Sequence, residues 1–195
     1  MRLFVAVETP PEHTAALATA CERGRRGGVL WVPVENAHLT LKFLGETAEA
    51  RVGDISAALA AVAAATPPFT LAFGGAGCFP HERAPRVLWL GVREGADDVR
   101  RLAAAVERAL VAAGFPAEER PWRGHLTIGR IKDPRVGAAT AAAKLRELAA
   151  FATPAAAATT LNLYRSTLTP EGAVYAAVSR HALGGETLAA GPVSC

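Results

Sequence analysis

The chain has 195 residues, a formal charge of +3 and an apolar fraction of 51%, which excludes an intrinsically disordered polymer and a mini-fold dependent on disulfides or metal for its core. Its three cysteines, Cys21, Cys78 and Cys195, are odd in number, widely separated and free of Cys-x-x-Cys spacing, so they indicate neither a disulfide framework nor a zinc site. No segment reaches the roughly 18–20 apolar residues of a membrane span, and the apolar run at Met1–Val7 is too short for a signal peptide. A soluble, reduced, cytoplasmic protein is expected.

Arg2 to Val7 reads as a short buried strand. Thr9-Pro10-Pro11-Glu12 then offers an N-cap, an N1 proline and a capping-box glutamate for a helix running to about Arg26, with Arg23, Arg25 and Arg26 as a solvated basic edge. Trp31-Val32-Pro33 leads into a strand from His38 to Leu44 that ends at Gly45. A helix follows, with Val52, Ile55, Leu59 and Val62 at helical spacing and Thr66-Pro67-Pro68 as its stop. Phe69 to Phe73 alternates as a strand, Gly74 to Gly77 is a β-bend or bulge without the order of a phosphate-binding loop, and Arg86 to Val92 is another strand. The spacing predicts an amphipathic helix from about Asp97 to Ala113, with Val99, Leu102, Val106 and Leu110 inward and Gly114 as its stop.

A second strand begins at His125, and Asp133-Pro134 opens a helix extending to about Phe151. Leu161 to Leu168 and Ala173 to Val178 read as a hairpin around Thr169-Pro170-Glu171-Gly172. The residues after Leu183 read as a loose tail. Residues 1–183 are therefore expected to form a single bilobal domain, with 184–195 as a C-terminal tail. The order strand, helix, strand, helix, strand occurs twice. An α+β fold follows, with two pseudo-symmetric lobes, each an antiparallel-rich sheet with helices packed outside, around a central cleft.

The two matching strands share more than their place in this order. His38-Leu39-Thr40-Leu41 returns as His125-Leu126-Thr127-Ile128. On a strand, alternate side chains point to opposite faces, so each copy presents an imidazole and a hydroxyl together while burying its aliphatic residues. Two imidazoles in one cleft can be one neutral and one protonated near neutrality, so one can take a proton while the other gives one. Phosphodiester hydrolysis needs that arrangement: a base to activate water and an acid to protonate the leaving oxygen on the far side of phosphorus. Thr40, Thr127 and a guanidinium are suitable donors to the phosphoryl oxygens. The remaining histidines, His13, His81 and His181, lack this pattern, and two histidines without nearby Asp, Glu or Cys ligands make a poor metal site.

On these residues the chain resembles the two-histidine phosphoesterases, and within them the RNA 2′,3′-cyclic phosphodiesterases also named 2′-5′ RNA ligases. The likeness extends to Arg2-Leu3-Phe4-Val5-Ala6, the Trp31 to Glu46 segment, Val87-Leu88-Trp89-Leu90-Gly91, Gly114-Phe115-Pro116 and Ser166 through Tyr175. It departs at Gly124, where the family usually has proline. The resemblance implies a hydrolase acting on RNA with a 2′,3′-cyclic phosphate end, with no metal or nucleotide cofactor; no membrane, no obligate protein partner and a monomer are expected besides. It implies His38 as proton donor, His125 as proton acceptor, and Thr40, Thr127 and Arg130 as phosphate contacts.

Strict alternation turns Arg130 away from the His125 face, so it needs a bulge or the strand's end to reach phosphate, whereas Lys42 has the right parity. Phe4, Trp31 and Trp122 are candidates for stacking on a base. Action on 2′-5′ linkages or on small cyclic nucleotides, or binding of RNA ends without turnover, stay open alternatives.

Overall fold

The computed structural model describes residues 1–169 and 172–184. In chain order its elements are β1 (Arg2–Glu8), α1 (Thr14–Ala20), β2 (Arg25–Arg26), β3 (Val29–Trp31), β4 (His38–Glu46), α2 (Val52–Ala64), β5 (Phe69–Phe79), β6 (Val87–Glu94), α3 (Ala96–Ala112), β7 (His125–Ile131), α4 (Pro134–Glu147), β8 (Ala156–Ala158), β9 (Thr160–Thr169) and β10 (Gly172–Ala182). The strands pair antiparallel in the order β10-β9-β1-β4-β7-β6-β5-β8, with β3 also pairing β7 and β2 pairing β3. This is the expected α+β class.

The two halves meet between β4 and β7, where Leu39 and Leu126 are the only paired residues among those described. One half comprises β4, β1, β9 and β10, the other β7, β6, β5 and β8. The chain does not divide at its midpoint to make them. The C-terminal hairpin β9–β10 joins the half begun by β1, and the β5–β6 hairpin, from before the chain's midpoint, joins β7. Sequential order therefore gives the right elements but not their allocation to halves.

One face of the sheet carries the core. Leu3, Val5 and Val7 of β1, Leu39 and Leu41 of β4, Leu88 and Leu90 of β6, Leu126 and Ile128 of β7, and Leu161 and Leu163 of β9 form one cluster with residues of the helices. Within α3, Val99, Leu102, Val106 and Leu110 are all buried, as their spacing requires. Burial of such side chains stabilises the fold by roughly 1.5–3 kcal/mol each. The opposite face holds the histidines.

Four expectations about local structure need correction. The helix expected to reach Arg26 ends at Ala20, because the following residues turn into the β2–β3 hairpin. Its two-residue turn, Gly27-Gly28, has φ of 56° and 74°, the left-handed pair that glycine supplies and that matches strand twist. The Thr9 hydroxyl donates to the Ala37 carbonyl (3.4 Å) and does not cap a helix. The strand expected to end at Phe73 runs on to Phe79 as β5, and the glycine stretch is a bulge within it, between Gly74 and Ala76, one of the two forms expected. The helix opened by Asp133, whose carboxylate accepts from Arg135 N (2.9 Å), stops at Glu147, and Ala156–Ala158 then pairs with Phe69–Leu71 as β8.

The expected β9–β10 hairpin is present, with Thr169 paired to Gly172; Pro170, Glu171 and the expected tail from 185 on lie outside the described residues. Among the described residues no helix is long and apolar enough to cross a membrane.

Candidate active site

The antiparallel pairing of Leu39 with Leu126 sets the geometry of the site. On either side of that pair, His38 falls across from Thr127 and Thr40 falls across from His125. Each imidazole thus neighbours the other motif's threonine, and the two histidines are diagonal, about 7–8 Å apart by strand geometry. All four side chains are half-buried on the face opposite the core. The two motifs therefore interlock as a square on one face of the sheet.

Both rings are held in the same way. His38 Nδ1 donates to the Asn36 carbonyl and His125 Nδ1 to the Arg123 carbonyl, each at 2.7 Å and each two residues upstream. A carbonyl can only accept, so Nδ1 keeps its proton and Nε2 is the nitrogen left for proton exchange. An aromatic edge braces each ring as well: Tyr175 stands 5.0 Å from His38 at 88°, and Phe79 stands 5.0 Å from His125 at 87°. Burial lowers the proton affinity of both imidazoles, that of His38 down to about 4, and the nearby Arg130 guanidinium lowers each further. The hydrogen bonds to the carbonyls act in the opposite sense. A bound anion would offset both lowering effects.

Arg130 reaches this face through a bulge. Leu88 pairs with Gly129 and Trp89 with Thr127, leaving Ile128 as the extra residue of β7. Ile128 and Gly129 both turn to the core side, where a side chain at 129 would meet Val29 and Trp31, and Arg130 emerges exposed beside the histidines. Strand β4 does the same one motif earlier. Val5 pairs with Lys42 and Ala6 with Thr40, so Leu41 is the extra residue.

Lys42 is therefore turned away from the cleft, contrary to simple alternation. It is buried, with Nζ bound to Glu107 Oε2 (2.6 Å) and to the Pro116 carbonyl (2.8 Å). Phe43 takes the place that Arg130 has in the other half, and its ring is 64% exposed. The cleft has an aromatic end and a cationic end.

The other aromatic candidates take structural positions. Phe4 is buried under the site, stacked on Tyr164 (5.3 Å, 18°) and close to His38 (4.8 Å). Trp31 is in the core, with Lys144 Nζ 5.8 Å from its ring. Trp122 donates from Nε1 to the Thr40 carbonyl (3.1 Å), and its ring fills the space a side chain at 124 would enter, 2.7 Å from such a Cβ. The glycine that departs from the usual proline is thus packed against tryptophan. Sequence reasoning missed Tyr175, Phe79, Tyr164 and Phe43, whose signal is tertiary. Asn162, fully buried in β9, ties the floor together by donating to Glu8 Oε2 (3.1 Å) and Tyr164 OH (3.0 Å).

The model of the 2′-5′ RNA ligase superfamily matches residues 9–168. The chain is 35% identical to an RNA 2′,3′-cyclic phosphodiesterase of Archaeoglobus fulgidus, over 90% of this chain and 96% of that one. It is 36% identical to a protein of the same name from Thermotoga maritima, over 90% and 91% of the two chains. Among solved structures it resembles TT0787 of Thermus thermophilus, with a TM-score of 0.75 and 30% identity over 96% of this chain and all (100%) of that one. Escherichia coli LigT complexed with 3′-AMP is also similar, with a TM-score of 0.72 and 26% identity over 93% and 97%. With its paired His-x-Thr strands and this extent of likeness, the chain belongs to the 2′-5′ RNA ligase superfamily of two-histidine phosphoesterases.

Proposed function

We propose that the protein hydrolyses the terminal 2′,3′-cyclic phosphate of RNA to a 2′-phosphomonoester, with the two histidines as acid and base. The observation that carries this reading is the matched pair of imidazoles, each with Nδ1 tied to a carbonyl and Nε2 left free, set diagonally around two threonines and next to Arg130. The names of the relatives support the substrate class, and the 3′-AMP complex of LigT supports a nucleotide phosphate as the ligand.

In the proposed reaction, His125 Nε2 takes a proton from water, the water oxygen attacks phosphorus, and the bond from phosphorus to the 3′ oxygen breaks. His38 gives its Nε2 proton to that oxygen, which leaves a 3′-hydroxyl and a 2′-phosphate. Thr40, Thr127 and Arg130 donate to the phosphoryl oxygens as negative charge accumulates there. His38 is mostly uncharged in the free protein, so the anionic phosphate itself must raise its proton affinity before it can act as the acid. Acid and base titrate as a coupled pair. Phe43 offers an exposed ring face to a nucleobase, a contact worth roughly 1–3 kcal/mol per base in single-strand binders.

The test is product analysis on an oligonucleotide with a 2′,3′-cyclic end, using wild type, His38→Ala and His125→Ala. The expected result is a 2′-phosphate product and a loss of about 10²- to 10⁴-fold in kcat for each variant. Retention of activity within about tenfold of wild type by either variant would remove the acid/base assignment. Tight binding without turnover would reduce the protein to an RNA-end-binding module. Activity abolished by a chelator and restored by zinc would replace the mechanism with a metal-dependent one.

A further inference from the structure

Beyond the histidines, the cationic end of the cleft continues along one row of the sheet. Arg25 pairs with Leu30, Leu30 with Arg130, Arg130 with Val87, and Val87 with Phe79. Residues paired across antiparallel strands share a face. Arg25 therefore lies on the face of Arg130 and of Phe79, the residue braced against His125. Its neighbour Arg26 points the other way, into the groove between the hairpin and α4 that Trp31 and Lys144 line. Two strand spacings separate Arg25 from Arg130, or about 10 Å.

Lys132 lies beside the same hairpin, in the bend between β7 and α4. Its backbone N–H and that of Asp133 both donate to the Gly28 carbonyl of the β2–β3 turn (2.8 and 3.0 Å). Ile131 packs towards α4, where a side chain at Gly137 would come within 2.8 Å of it, and Lys132 follows one residue beyond the strand, two residues from Arg130. Both Arg25 and Lys132 are exposed.

None of Arg25, Arg130 and Lys132 joins an ion pair among the described residues. The nearest carboxylates in sequence are already engaged: Glu22 with Lys144 (3.3 Å), and Asp133 with the start of α4. The other half of the cleft differs at this point, since Phe43 stands where Arg130 does.

We propose that Arg25 and Lys132 form a second phosphate subsite, which binds the internucleotide phosphodiesters just upstream of the RNA end held between the histidines. This rests on the cyclic-phosphate reading above. The RNA strand then leaves the cleft over β7 and the β2–β3 hairpin, and the protein acts on oligonucleotides in preference to mononucleotides. The two-residue strand β2 gains a function as the support that holds a guanidinium at a fixed distance from the reacting phosphorus.

The experiment compares kcat/KM on a short oligonucleotide ending in a 2′,3′-cyclic phosphate with that on a mononucleoside 2′,3′-cyclic phosphate. The proteins are wild type, the double variant Arg25→Gln/Lys132→Gln, and Arg108→Gln as a control for loss of a surface charge on α3. The double variant is expected to lower kcat/KM on the oligonucleotide about tenfold, chiefly through KM, and to change the mononucleotide value less than about twofold. Binding of the same oligonucleotide to His38→Ala protein, followed by fluorescence anisotropy, is expected to show a log-log salt slope shallower by about 1.4 when both cations are removed.

An unchanged salt slope with unchanged oligonucleotide KM overturns the subsite and leaves the hydrolytic reading intact. An equal loss on both substrates also overturns it, by showing a general effect on the cleft. If wild type turns over neither substrate, the hydrolytic reading fails, and the binding measurement still decides the subsite.

Discussion

Leu39 and Leu126 are the only described residues that pair β4 with β7, and the two halves of the cleft are arranged about them. Both are fully buried, so the point that relates the halves is anchored in the core while the working groups stand on the opposite face. From that pair outward the halves match through His and Thr and through the bulge that follows each motif. They diverge at Phe43 against Arg130. The match suits proton transfer on two sides of one phosphorus; the divergence gives the substrate a direction.

Thr40→Val and Thr127→Val should each lower kcat on a cyclic-phosphate substrate by about 10²-fold, the scale of losing one donor to a developing oxyanion. Valine keeps the branched shape that suits a strand, so folding should be unaffected. Because each threonine sits beside the other motif's histidine, the two losses should agree within about fivefold. Steady-state kinetics on both variants is the check, and an effect confined to KM would reassign the threonines to ground-state binding.

Arg130→Gln should alter the pH profile as well as the rate. The guanidinium lowers the proton affinity of both imidazoles, so its removal should move both limbs of the kcat/KM profile to higher pH while kcat falls. In wild type, kcat/KM should peak below pH 6.5, because both rings titrate below their ordinary value in the free protein. The kcat profile should lie higher, since bound phosphate favours the protonated rings. Coincident wild-type and Arg130→Gln limbs would place Arg130 too far away to matter.

Lys42 should prove structural. Glu107→Ala leaves the buried Lys42 ammonium with the Pro116 carbonyl as its remaining partner and should cost about 2–3 kcal/mol, below the range for fully buried pairs because Glu107 is partly exposed. Lys42→Met, which removes the charge and keeps the bulk, should cost only about 1 kcal/mol and leave kcat/KM within about twofold. Urea unfolding and kinetics on the two variants separate this reading from a phosphate-binding lysine, which would lose activity and not stability.

Acid should destabilise the fold before it protonates most carboxylates. His13, His38, His125 and His181 all hold protons less readily in the fold than an ordinary imidazole, chiefly because burial disfavours the charged ring. As pH falls through 6.5 the unfolded chain takes up protons that the folded chain does not. Stability is therefore full above about pH 7 and declines below it, at most about 1.4 kcal/mol per pH unit for each group. For His38 the decline continues to about pH 4. His13, fully buried edge-on to Phe73, offers a probe away from the site: His13→Leu should show a shallower loss between pH 7 and 5 in denaturant titrations.

What the sequence determined by itself is the local and periodic part of this protein. The two His-x-Thr strands, the inward faces of α2 and α3, the β9–β10 hairpin and the α+β class all follow from spacing, because strand and helix periods are set by neighbours along the chain. The interlocked square also follows once β4 and β7 are paired, but that pairing joins residues from opposite halves of the chain. Tertiary structure alone decided the rest. Helix α1 stops early because the β2–β3 hairpin pairs with β7, a partner a hundred residues away. Lys42 and Arg130 exchange the roles that alternation assigns them, because a bulge after each motif inserts one residue and inverts parity from there on. Bulges are selected by the strand alongside, and that neighbour exists only in the folded sheet.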